Sequence, residues 1–168
     1  MINRTIRLSL LFVLLILLQV LVFNNIQFSG FVNPYIYLLF ILLLPFEIPG
    51  WLLLLLSFLT GLTVDLFSLS PGMHTFATVL AGFVRPNILR IISPRDGYES
   101  GSGPSMQAYG FRWFFIYTAL IVLIHHTSLF YIEVFRFQDF FRTMFRVIMS
   151  SVFSLAFILL FEFSRKGK

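Results

Sequence analysis

The sequence predicts an all-α polytopic membrane protein, a bundle of six transmembrane helices in one domain. Three observations carry this. Apolar residues make up 58% of the 168 and charged residues only 11%. A soluble domain carries roughly 25% charge and, at this size, exposes too much of its surface to hide so apolar a chain. Long apolar runs of about span length recur, separated by polar or Pro/Gly punctuation. The twelve Lys and Arg residues fall unevenly between alternate connections.

Each span has its own punctuation. The first covers 6–23 and stops at Asn24-Asn25. Arg4 and Arg7 before an apolar run resemble a signal peptide, but Val22 to Ile26 offers no small-residue cleavage site, so a retained helix is expected. After a turn with Gly30 and Asn33-Pro34, the second span covers 34–48, short and bracketed by Pro45 and Pro49, where a break is expected. The third covers 51–67 and ends in Ser68, Ser70, Pro71 and Gly72; the fourth covers 73–92. Residues 93–110 are polar and rich in Gly, Ser and Pro, which predicts a mobile cytoplasmic loop. The fifth span covers 111–131 and the sixth 143–163. Between them, 132–142 mixes charge with phenylalanine, a pattern expected in the outer interface plane, with Glu133–Arg136 and Asp139–Arg142 at helical spacing.

Six spans place both termini on one side. That side then holds Arg4, Arg7, Arg85, Arg90, Arg95, Arg112, Arg165, Lys166 and Lys168, nine of the twelve basic residues; the other holds Arg136, Arg142 and Arg146. The bias predicts cytoplasmic termini. Trp51 and Trp113 fall at cytoplasmic helix starts, where indoles favour the interface.

In lipid, small residues mark close helix contacts. Ser57/Gly61, Ala77/Ala81, Thr78/Gly82 and Ser150/Ser154 are each four apart, so spans three, four and six are expected inside the bundle, while the first span, a near-unbroken Leu/Val/Ile/Phe cylinder, suits lipid or an apolar partner helix. Asp65 continues the Ser57/Gly61 stripe. A carboxylate at membrane depth is costly and must be paired or hydrated. It can cap the following turn, pair within the bundle, or serve as a proton or ion site. His74 stands across the hairpin, within reach of Asp65; a metal would need a third ligand, and none is near in sequence. His125 and His126 diverge by about 100° on a helix and are expected as interfacial polar groups. Arg85-Pro86 suggests a kinked helix end whose arginine snorkels to the cytoplasmic surface, or a partner contact there.

With no cysteine, no phosphate loop, no HExxH and no GxSxG, no enzymatic activity, catalytic residue, cofactor or metal is expected, and the short basic loop is too small to read nucleic acid.

The run Gly61-Leu62-Thr63-Val64-Asp65-Leu66-Phe67-Ser68-Leu69-Ser70-Pro71-Gly72-Met73-His74 resembles the central signature of the rod shape-determining protein MreD family. Length, the apolar first span and the cytoplasmic termini are similar too. The resemblance implies a bacterial inner-membrane scaffold of the elongasome, directing lateral peptidoglycan synthesis. Its main partner would be MreC, with MreB and cell-wall synthesis enzymes more indirect and the lipid bilayer around it. Gly61, Asp65, Pro71, Gly72, His74, Arg85 and Pro86 are the expected partner-binding or structural positions. The family is thought to share its fold with the substrate-binding subunits of energy-coupling-factor transporters, six-helix bundles with an outward-facing pocket. The first span lacks their Ala-x-x-x-Ala docking pattern; its one small residue is Ser9. The alternative implied is a small-molecule (vitamin-like) binding subunit of a transporter, its pocket around Asp65, His74, Glu133 and His125.

Overall fold

The computed structural model describes residues 4–25, 32–135 and 139–165. Its elements are α1 (Arg4–Leu21, followed by a 3-10 turn, Phe23–Asn25), α2 (Leu38–Leu42), α3 (Gly50–Ser68), α4 (Met73–Ile91), α5 (Met106–Tyr109), α6 (Phe111–Val134) and α7 (Phe140–Ser164). Four segments are long and apolar enough to cross a bilayer: Thr5–Asn25, Gly50–Ser68, Phe111–Val134 and Phe140–Ser164. The chain is therefore an all-α integral membrane protein.

The remaining long helix, α4, has 19 residues but is more polar. It tolerates polarity because it lies in the bundle between α3 and α6, and α6 packs in turn on α7. The apolar segment of α1 is only 17% buried, against 44% for that of α6. The first span is thus peripheral, as its uniform Leu/Val/Ile surface predicts. The fifth span, which carries no small-residue stripe, is an inner helix.

The second span departs most from expectation. Only Leu38–Leu42 is helical, and the rest of 32–49 is irregular. Proline at 34, 45 and 49 interrupts the helical ladder from both sides. Irregular backbone at membrane depth persists only where protein covers it. Here it is covered: Tyr37, Leu38, Ile41 and Leu42 are fully buried, and the segment forms the centre of the core.

Residues 93–110 are also different from the mobile loop expected. They fold back on the bundle end. Tyr98 stacks on Phe46 with ring centroids 4.1 Å apart and donates its hydroxyl to the Leu89 carbonyl at 2.7 Å. Ser100 donates to Glu47 at 2.7 Å, and Ser105 caps α5. Trp113 donates its indole N–H to the Ile92 carbonyl at 2.9 Å and stacks on Tyr117, so it closes the end of α4. Aromatic contacts thus fix a segment whose composition signals disorder.

Candidate functional site

Irregular backbone leaves donors and acceptors that need partners, and side chains from four helices supply them. On α1, Gln19 accepts the Ile36 N–H at 2.9 Å and donates to the Pro34 carbonyl at 3.1 Å. On α7, Ser150 accepts the Asn33 N–H at 3.1 Å and Ser154 accepts the Tyr35 N–H at 2.8 Å. On α6, the Tyr117 hydroxyl donates to the Leu42 carbonyl at 3.0 Å. On α4, Arg85 donates to the carbonyls of Leu44 and Pro45. Its Nε donates to Tyr117 Oη at 2.8 Å.

Arg85 is therefore no snorkelling anchor. It is 1% exposed. The broken second segment ends beside it, and that end offers bare carbonyl oxygens to which a guanidinium fork donates better than water at the surface would reach. Pro86 lies inside α4, which continues through it to Ile91.

At the opposite end of the bundle, Asp65 closes the α3–α4 turn. Its carboxylate accepts the Ser70 hydroxyl at 2.8 Å, the His74 N–H at 3.0 Å, and the Thr75 N–H and hydroxyl at 2.8 and 2.6 Å. An anionic acceptor on the first N–H groups of α4 satisfies orphan donors and complements the helix dipole. Gly72, before α4, has φ +80°, which favours glycine. Gly61 lets α3 approach α4: a Cβ there would lie 2.5 Å from Thr75 Cα. Gly61, Asp65, Pro71, Gly72 and His74 thus form one structural unit. Arg85 and Pro86 stand apart from it, about 16 Å further along α4 by helical rise.

The His74 ring does not reach for Asp65; only its backbone N–H does. The ring turns inward to Tyr37, with Nδ1 3.1 Å from the hydroxyl, and His125 Nε2 lies 2.7 Å from the same hydroxyl. Tyr37 has a single proton to give, so at least one of these histidines donates to it. His126 Nδ1 lies 2.8 Å from the Val122 carbonyl, which only accepts, so Nδ1 carries the proton and Nε2 accepts from Ser154 at 2.9 Å. His125 and His126 are both fully buried, contrary to the interfacial placement expected. Irregular residues 35–37 bring two tyrosine rings against them, and Tyr35 packs on His74, His125 and His126. His125 Nδ1 has no hydrogen-bond partner.

Above this network lies a polar cavity of about 570 Å³, walled by Asn24, Tyr35, His74, Glu133 and Arg146 among others. Glu133 pairs with Arg146 at 2.9 Å, and Arg146 lies 4.2 Å over the Phe130 ring. The expected Glu133–Arg136 pair falls on a residue outside the described ones. Asp65 and His125 are not among the cavity's walls. Among the described residues, no group of three His, Asp or Glu side chains is placed to hold a metal.

Gln19, Tyr35, Tyr37 and Tyr117 were not singled out from the sequence. Gln19 carried a signal, being the one amide deep in an otherwise apolar span. The tyrosines carried none, because Tyr suits an interface as readily as a core.

Fold and site together define a multi-pass helical membrane protein organised around a broken, side-chain-clamped segment. No family model, no curated protein and no solved structure matches the chain.

Proposed function

We propose that this chain is a non-enzymatic scaffold of the MreD type. In this reading it crosses the bacterial inner membrane six times with both termini in the cytoplasm. It binds MreC and helps couple it to MreB and the wall-synthesis enzymes. The observation that carries the reading is how the signature residues are used. Asp65, a buried carboxylate at the end of the third span, is fully engaged in holding a turn, which leaves it no chemistry to perform. A scaffold needs a rigid body and a lateral face. The face is an apolar groove of about 650 Å³ between α1 and α3, walled by Phe12, Val13, Leu52 and Leu56, with Glu47 also on its lining. Membrane helices associate by van der Waals packing of one helix on another. The Glu47 carboxylate suits the Lys/Arg flank that a single-span protein carries on its cytoplasmic side. Photo-crosslinkers at Val13 and Leu56 should trap MreC, whereas crosslinkers at Ile148 and Val152, exposed on α7 and outside the groove, should not. Equal yields at both faces would contradict the groove.

A second reading, a small-molecule binding subunit, is favoured by the outer cavity. Tyr35, His74, Glu133 and Arg146 give it hydrogen-bonding groups of both signs. Native mass spectrometry of the purified chain tests it. A stoichiometric small molecule lost on Glu133→Gln supports it, and an empty cavity contradicts it.

A further inference from the structure

A third cavity, of about 430 Å³, opens between the start of α1 and the end of α7. Two arginines stand at it, Arg7 from α1 and Arg165 from the residue that closes α7. Beside the arginines its walls include the apolar side chains of Leu10, Leu14, Leu43 and Phe161. Leu10 and Leu14 are 60% and 46% exposed on the lipid-facing side of α1, so the wall continues down the outside of the helix.

The charge in this cleft is unbalanced. Glu162 lies beneath it, fully buried, and its Oε2 is 3.2 Å from Arg165 Nη1. The other carboxylate oxygen accepts the Met106 N–H at 3.2 Å, so Glu162 is committed on both sides. Among the described residues, no carboxylate forms an ion pair with Arg7. Burial lowers the Arg165 pKa from its ordinary value; Glu162 opposes this, and the charge of Arg7 adds to it. Among the described residues, two guanidiniums therefore share a cleft with one anion, and a second anion would relieve them.

We propose that this cleft is a binding site for one anionic phospholipid, its phosphate held by Arg7 and Arg165 and an acyl chain lying along Leu10 and Leu14. Guanidinium forks match phosphate oxygens bidentately. Basic pockets between helices at the membrane surface take lipid headgroups in this way. A soluble phosphate would satisfy the arginines and leave the leucine wall unfilled. The combination of charge above and grease below is what selects a lipid.

The test uses the full chain purified in detergent, with native mass spectrometry against phosphatidylglycerol and phosphatidylcholine of identical acyl chains. The wild type should retain one phosphatidylglycerol in preference to phosphatidylcholine. Arg7→Gln should weaken phosphatidylglycerol about fivefold, the equivalent of about 1 kcal/mol per basic residue at an anionic surface, and weaken phosphatidylcholine, whose choline offsets its phosphate, by less. Leu14→Asn, which keeps both charges, should weaken both lipids. Thermal melting run in parallel should show Arg7→Gln folded, since Arg7 is exposed at a helix start. Equal retention of the two lipids, an unchanged Arg7→Gln, or inorganic phosphate binding as tightly as phosphatidylglycerol would each overturn the proposal.

Discussion

Arg85 Nε lies 2.8 Å from the hydroxyl of Tyr117, and both side chains reach on to carbonyls of the broken second segment. One cation and one phenol thereby close the end of α2 that no helical partner can close. Arg85→Met should destabilise the fold by roughly 2–3 kcal/mol or more, because charged donors are lost and buried carbonyls are left bare. Arg85→Lys should recover only part of this, since an ammonium cannot spread along the same fork. Thermal melting in detergent checks the order wild type, Lys, Met.

Gln19 performs the matching task at the segment's other end. Gln19→Leu keeps bulk but strands the Ile36 N–H and the Pro34 carbonyl, for roughly 1–3 kcal/mol. Hydrogen exchange should rise at residues 36 and 37 first, before α3 and α4 are affected.

The turn motif separates charge from shape. Asp65→Ala removes an acceptor of four hydrogen bonds and should lower stability by about 2 kcal/mol or more. Asp65→Asn retains one oxygen and should fall between. If the MreC reading holds, both variants should lose MreC in proportion to lost stability and give round cells.

Two glycines distinguish backbone from side-chain contact. Gly61→Ala meets the backbone of Thr75 and His74, which cannot move aside, so about 1–3 kcal/mol is expected and more for Gly61→Leu. Gly82→Ala meets the Ser57 hydroxyl instead. Combining it with Ser57→Ala should therefore be less harmful than the sum of the two single changes, a coupling that a double-mutant cycle measures.

How much of this was legible in the sequence follows from where each signal lives. The long apolar helices and the breaks at Asn24-Asn25 and Ser68–Gly72 are local, and they read correctly. The Gly61 approach read correctly because a residue without a side chain is what lets two helix backbones meet. The break at Pro45 and Pro49 read correctly too, but the irregular course of the rest of the second segment did not, since its stability comes from Gln19, Arg85, Tyr117 and two serines far away in the chain. His125 and His126 misled for the same reason: the irregular stretch at Tyr35–Tyr37 and the neighbouring helices α4 and α7 bury them. The 93–110 loop looked mobile because the partners of its Tyr98, Phe46 and the Leu89 carbonyl, lie outside it.

The most direct test of the scaffold reading is affinity capture of the tagged chain from native membranes, with the partners identified by mass spectrometry. The reading predicts that MreC is recovered with the wild type and depleted with Gly61→Leu. A wild-type capture without MreC, made under conditions in which MreC is present in the membrane, would contradict it.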